Sequence, residues 1–359
     1  MSIVEVAKEA GVSHATVSYV INGKPGVSSG TAKRVVNAIQ KLGYVPGRRR
    51  SKAANSPLPL SSLPDSLFLR TGTIGVVFYG REANMVQIPF YARLVHAIEE
   101  ELSEKNLSML LVRINKPEGI LDEDKMDGAV ICGFNSKIMN IVQIPHVSVL
   151  GHPDLNEALV TDHIEPANDR IGALAVNYLR ERGHRHVAFI DSTYGEHPPI
   201  AARGRVFMHY ARQNELKVTQ FNVPYTDRNE KGRLFDYSEL PEVQKFIDQF
   251  RVMPNRPTGI FLPTDSHLVI LYKGFRREGI KPGQDVEFIG CNNDTALLDG
   301  LDPRPATIDV NPKMMAKCAV DRLLYQIRQW KNQDGYVQID VQPLLVKAGP
   351  GVKNDWSQG

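Results

Sequence analysis

Cysteine is scarce in this chain and long apolar runs are missing. Three cysteines, Cys132, Cys291 and Cys318, stand far apart in 359 residues, which excludes a disulfide framework and any cysteine-paired zinc spacing. Such sparse usage fits a reducing compartment. No stretch of about 18 apolar residues occurs, so no transmembrane helix is expected. The opening MSIVEVAKEAG lacks the basic start, apolar middle and small-residue cleavage site of a secretory signal, and the expected location is cytoplasmic. Catalytic patterns are missing as well. No Gly-x-Ser-x-Gly elbow surrounds Asp191-Ser192, Gly72, Gly75 and Gly80 do not make a GxGxxG, and the ten histidines form no HExxH. His184 and His186, two apart at a turn entering a strand, read as structural. No catalytic residue, metal or cofactor is assigned, and an enzyme is not expected.

What is present is an uneven charge distribution. Residues 1–54 carry nine Lys/Arg against Glu5 and Glu9, a net +7 in a chain whose total is +3, so the remainder is net −4. A small basic head on a mildly acidic body points to a polyanionic partner for the head. The head is also patterned as a fold. Ser2 to Glu5 fits a capping box, and the first helix runs to about Glu9 with Gly11 supplying the turn. Ser13 can cap a second helix ending near Asn22-Gly23, and Ser28 a third ending at Gly43. Val6, Ala10, Val17, Val20, Val35, Ile39 and Leu42 fall on facing stripes. Each helix is too short to stand alone, and a shared three-helix core resolves this. Two short helices around a tight glycine turn describe a helix-turn-helix, whose second helix enters the DNA major groove. With Val17, Val20 and Ile21 inward, His14, Ala15 and Tyr19 lie outward to read base edges. Thr16, Ser18 and Asn22 are short hydrogen-bonding residues suited to phosphates. Packing of Tyr19 on the first helix is the competing reading.

Residues 47–72 are basic, then rich in Pro and Ser, and read as a linker. From Thr73 onward, apolar strands alternate with helices. Strands are expected at 73–79, 108–112, 128–132, 146–150, 186–190, 259–262 and 286–290; helices at 90–105, 168–182, 201–214, 240–250, 266–278 and 312–330. This is the pattern of parallel sheets covered on both faces. A body of this length divides into two lobes, with a ligand cleft at the carboxyl ends of the strands.

The head resembles the LacI/GalR family of bacterial transcription regulators. The resemblance rests on Val6-Ala7, Ala10-Gly11-Val12-Ser13, Ala15-Thr16-Val17-Ser18, Val20, Asn22-Gly23, Val27-Ser28, Thr31, Val35 and Leu42-Gly43-Tyr44-Val45-Pro46. It continues, more sparsely, through Pro89-Phe90-Tyr91, Met126-Asp127-Gly128, Gly183-His184, Thr264-Asp265 and Ile289 to Asn293. It implies a helix-turn-helix domain (1–46), a hinge linker (47–72), a two-lobed α/β effector-binding and dimerisation domain of the periplasmic-binding-protein-like type I kind with parallel sheets (73–350), and a tail (351–359). It further implies backbone contacts at Ser28, Arg48, Arg49 and Arg50 beside those above, and an effector cleft bordered by Tyr91, Asn135, Asp162, Arg203, Asp265 and Asn292. Asp162 and Arg203 can alternatively form a structural ion pair across the lobes.

Three positions depart from the family pattern. Asn292 stands where an acidic residue is common, Val206 where glycine is common, and Ala53 where a leucine wedges into the minor groove. Alanine is a poor wedge, which predicts a weaker or shifted DNA kink. The resulting expectation is a repressor that binds a near-palindromic operator as a homodimer, under control of a small-molecule effector, a sugar or derivative. The tail has no leucine heptads, so no tail-driven tetramer is expected. The alternative is a sugar-binding protein without a DNA-regulatory role.

Overall fold

In the computed structural model, the structure describes residues 3–21, 27–42, 44, 69–79, 88–114, 121–133, 139–151, 158–193, 197–223, 240–329 and 335–357. The head holds three helices: α1 (Ile3–Ala10), α2 (His14–Ile21) and α3 (Ser29–Leu42). Gly11 adopts φ +62°, the left-handed region that glycine enters without steric cost. There the Val12 N–H donates to the Ala7 carbonyl at 3.0 Å and closes α1. Ser13 Oγ accepts from the Thr16 N–H at 3.1 Å and Ser28 Oγ from the Thr31 N–H at 3.3 Å, so both expected caps form. Val6, Val17, Val20, Val35 and Ile39 make one buried cluster with Ala7, Ala10, Val36 and Ala38. The third helix thus buries what the first two cannot.

Among the described residues the body forms two six-stranded sheets. The first has strands in the order β11-β5-β4-β3-β1-β2 and the second β12-β10-β9-β8-β6-β7. In sequence these are β1 (Thr73–Tyr79), β2 (Ser108–Ile114), β3 (Gly128–Cys132), β4 (His146–Val149), β5 (Asp162–Pro166), β6 (His186–Asp191), β7 (Lys217–Asn222), β8 (Gly259–Phe261), β9 (Glu287–Cys291), β10 (Ala306–Asp309), β11 (Gln338–Val341) and β12 (Leu344–Val346). Every pairing is parallel except β10 with β12. Central strands such as β3, GAVIC, are buried along their whole length, as sheets covered on both faces require.

Helices α4 (Pro89–Glu104) and α10 (Pro312–Gln329) pack together on the first sheet; α5 (Asn168–Glu181), α6 (Pro198–Gln213), α7 (Pro241–Val252), α8 (Asp265–Arg277) and the short α9 (Thr295–Leu298) belong to the second. The chain therefore passes between lobes three times, at 166–168, 309–312 and 341–344. Each passage leaves or enters a strand, so the carboxyl ends of both sheets meet near the crossovers. The close approach of α5 and α6 depends on Gly172. A Cβ there would stand 2.5 Å from the Arg203 carbonyl oxygen.

The segment read as a tail is packed onto the second lobe as far as it is described. Trp356 is buried and stacks on His184 with ring centroids 4.7 Å apart. Its backbone N–H donates to the Arg182 carbonyl at 2.9 Å. Below it, Glu287 accepts from the Tyr178 hydroxyl (2.6 Å), Arg182 Nε (2.8 Å) and His184 Nε2 (2.9 Å). These bonds hold its carboxyl below the usual range even though burial raises it. His184 is here a core histidine, as its position in the sequence suggested.

Candidate nucleic-acid interface and effector cleft

On α2 the apolar residues Val17 and Val20 turn into the head core while His14, Ala15 and Tyr19 remain exposed, Tyr19 by 47%. His14, Ala15 and Ser18–Tyr19 follow the i, i+1, i+4, i+5 spacing of one helix face. Thr16 and Ser18 are half-buried beside them, with Thr16 Oγ1 2.8 Å from Ser13 Oγ. The free N–H groups of the first turn give this end a partial positive charge. Ser28 is exposed at the start of α3, and α3 presents exposed Lys33 and Arg34. Asn22, Arg48, Arg49, Arg50 and Ala53 lie outside the described residues.

The tether from the head is fastened where it enters the first lobe. Asp127, at the amino end of β3, accepts from the backbone N–H groups of Arg70 (2.7 Å), Thr71 (2.9 Å) and Gly72 (2.6 Å). The Arg70 guanidinium meets Asp124 at 3.1 Å. One carboxylate therefore holds three successive peptide groups, fixing the direction in which the chain leaves the lobe.

The cleft side of the molecule lies at the carboxyl ends of the strands. Tyr91, in the first turn of α4, is half-buried and set edge-on to Phe78 at 6.0 Å and Phe90 at 5.3 Å. Arg203 on α6 is buried and reaches both crossover β5–α5 and the end of β8. Its Nε donates to Asn168 Oδ1 at 2.9 Å and its Nη1 to the Pro263 carbonyl at 2.7 Å. Asp265, the first residue of α8, is fully buried. It accepts from Thr307 Oγ1 and from the Asp294 N–H, both at 2.8 Å. Burial, then the neighbouring Asp294 charge, pushes its carboxyl up to about 8. Asn292 follows β9 with φ +108°, a conformation that costs an L-residue free energy and occurs mostly where function demands it. Arg203 and Asp265 both lie within electrostatic range of Cys291, whose thiol burial pushes up to about 12. Tyr91, Arg203, Asp265 and Asn292 are thus at the expected edge of the sheets. Asn135 lies outside the described residues.

Asp162 is a correction. It is the first residue of β5, at the end of the strand away from the cleft, about 13 Å from Pro166 at the usual rise per residue. Its carboxylate accepts from Arg322 Nε at 2.8 Å and Nη2 at 2.7 Å, and from the Val337 N–H at 2.8 Å. It is a structural ion pair, but its partner is Arg322 and not Arg203. Sequence reasoning missed Asn168, which opens α5 two residues beyond the cleft end of that same strand. There its Nδ2 donates to Glu165 Oε2 at 3.0 Å while its Oδ1 serves Arg203. The usable signal was positional: an amide opening a helix directly after a buried strand. Among the described residues no group of three or more His, Cys, Asp or Glu is placed to hold a metal ion.

A two-lobed ligand-binding body joined to a helix-turn-helix head defines the class of the molecule. Residues 2–47 match the bacterial regulatory proteins of the lacI family, and residues 176–346 match the periplasmic binding protein-like domain. The ribose operon repressor of Escherichia coli K12 is 27% identical over 360 residues, covering 96% of this chain and 98% of its own. Among solved structures, the transcriptional regulator CelR in complex with cellobiose aligns with a TM-score of 0.62 at 20% identity, over 98% of this chain and 100% of that one. The Lac repressor dimer bound to operator and an anti-inducer aligns at 0.60 and 19%, over 98% and 99%. The head is thus of the lacI family of bacterial regulatory proteins and the body of the periplasmic binding protein-like kind.

Proposed function

We propose that this protein is a DNA-binding transcriptional repressor whose operator affinity is set by a small molecule held between the lobes. The observation that carries it is the outward face of α2. His14, Ala15 and Tyr19 are exposed on a helix whose other face is locked into the head core, the arrangement that presents side chains to a major groove. Thr16, Ser18, Asn22, Ser28 and Arg48 to Arg50 then supply phosphate contacts. A homodimer reading a near-palindromic operator follows from one head per half-site, and the chain acts in the cytoplasm where DNA is available to it.

The ligand reading rests on Arg203, Asn168, Asp265 and Asn292 around the strand ends, with Tyr91 beside them. Amide, carboxyl and guanidinium groups together offer donors and acceptors for several hydroxyls. The relatives point the same way, since one is named for ribose and one solved neighbour holds cellobiose. The ligand class proposed is therefore a neutral sugar or sugar derivative.

The test is selection of bound duplexes from a random pool by the full chain, followed by titration of sugars against the enriched DNA. A palindromic consensus, and a sugar that changes its affinity, are expected. Enrichment of nothing at low salt, by the full chain and by residues 1–54 alone, overturns the DNA-binding reading. Sugar binding without DNA enrichment would favour the alternative of a sugar-binding protein with no regulatory role.

A further inference from the structure

Arg93 stands near the start of α4, in the first lobe, yet among the described residues the acceptors it meets belong to the second. Its Nη1 donates to the Asn292 carbonyl at 2.7 Å and the Asn293 carbonyl at 2.6 Å. Its Nη2 lies 3.4 Å from Asp309 Oδ2, at the strand end where the chain crosses back between lobes. The remaining neighbour is Asp294, whose side chain has no exposure and lies 3.7 Å from Nη1. Neither oxygen of that carboxylate receives a hydrogen bond among the described residues. A buried carboxylate without donors is costly, and the cost falls when a cation can reach it. The other charged groups around it are Asp309 on β10 and Asp265 at the start of α8, both acidic, and Arg304, which offsets Asp265; Arg93 is the cation that acts on Asp294. Asn293 is itself tied in, donating from Nδ2 to Asp309 Oδ2 at 2.8 Å and accepting from Arg304 Nη2 at 3.2 Å.

We propose that Arg93 is an interlobe latch beside the hinge, with two sets of acceptors between which its guanidinium exchanges as the lobes rotate. In the arrangement seen, it holds the backbone of 292–293 and leaves Asp294 short of a donor. A small rotation that shortens the 3.7 Å separation gives Arg93 a direct carboxylate bond at the expense of the carbonyls. Two discrete sets of contacts with different electrostatics are what a bistable element needs. Asn292 belongs both to the latch, through its carbonyl, and to the proposed ligand site, through its side chain. Ligand occupancy and lobe angle are thereby joined in one residue. The inference rests on the reading of the cleft as a ligand site, but its test does not need a ligand or DNA.

Spin labels at Ile141→Cys in the first lobe and Val252→Cys in the second, both exposed, in a Cys318→Ser background, report the interlobe distance of the full chain. Arg93→Gln is expected to broaden the distance distribution or add a second population. Asp294→Asn is expected to shift the parent distribution toward the arrangement held by the carbonyls. In the Arg93→Gln background, the same Asp294→Asn change is expected to have no further effect, as two partners in one interaction must behave. Unchanged distributions for both single variants, or effects that simply add, overturn the latch. A variant that does not melt cooperatively is replaced by Arg93→Lys, which keeps the charge without the fork and is expected to give an intermediate shift; a distribution identical to the parent overturns the proposal there too. Failure of the DNA selection alongside a confirmed shift would remove the regulator reading and leave the latch standing.

Discussion

At the scale of single residues, burial decides what a polar group is for. Asp265 and Asp162 are both fully buried, yet Asp162 is neutralised by Arg322 while Asp265 has a hydroxyl, a peptide N–H and a second acid beside it. A carboxyl raised from 3.8 to about 8 keeps in the folded chain a proton that the unfolded chain has released. Stability contributed by that proton is complete below the unfolded value and is lost as pH rises through the folded one. Asp294, raised to about 6, acts in the lower part of the same window, so the interval from pH 6 to 8 reports mainly on Asp265. Asp265→Asn is expected to lose less stability than the parent between those pH values, by up to about 1.4 kcal/mol per pH unit; parallel denaturation curves at pH 6 and 8 would refute the raised carboxyl. On α2, Tyr19→Ala is expected to weaken the selected operator by about 1–3 kcal/mol, roughly 5- to 150-fold, while binding to unrelated duplex and the melting temperature stay put. A fall in melting temperature with unchanged base preference would return Tyr19 to the alternative of packing on α1. The exposed face of α2 was legible because its apolar partners are fixed by spacing. Asp162 was misread because sequence gives the neighbours of a residue along the strand, and its effect depends on which end of the strand it occupies.

At the scale of elements, the strongly periodic segments were legible and the polar ones were not. The expected helices lie within about three residues of those observed, and the strands β1, β3 and β4 stand where the apolar runs placed them. Strand β5, DHIEP, carries two acids, a histidine and a proline, and it went unread; it is nevertheless buried along its whole length, because Arg322, Asn168 and Gln338 satisfy its charges. Strands β7 and β12 escaped for the opposite reason, being edge strands with partly exposed, mixed faces. The expected glycine near Val206 has a structural counterpart across the helix pair. Gly172 on α5 supplies the close approach, and Val206 fills the facing space. Gly172→Ala would place a Cβ 2.5 Å from the Arg203 carbonyl oxygen and 2.8 Å from the Phe207 nitrogen. These are backbone atoms that cannot swing aside, so the helices must separate, at about 1–3 kcal/mol. Arg203 moves with α6 and loses its reach to Asn168, so sugar affinity is expected to fall along with stability. Gly300→Ala, which meets nothing within 4 Å, is the control, with an effect within about 0.5 kcal/mol. If the two variants melt alike, the close packing of α5 and α6 is not what positions Arg203.

At the scale of the whole molecule, the question is how a cleft in the body acts on a head beyond the linker. The first lobe grips the incoming chain at Asp127, so any rotation of that lobe redirects the tether. Two mechanisms of release then make different predictions. In one, the ligand shifts the population of lobe arrangements, and the head binds DNA unchanged in whichever fraction is competent; apparent affinity falls by that fraction. In the other, the ligand-bound protein stays on the operator with some phosphate contacts broken. Salt separates them, because each neutralised phosphate adds about 0.9 to the slope of log affinity against log salt. The basic head, at net +7 over residues 1–54, ensures a slope steep enough to read. A saturating sugar is expected to displace the line without changing its slope, since the three helices of the head share one core and dock as one unit. A slope reduced by one or more charges on adding the sugar would mean that part of the interface detaches while the rest holds, and population shift would fail as the account of control.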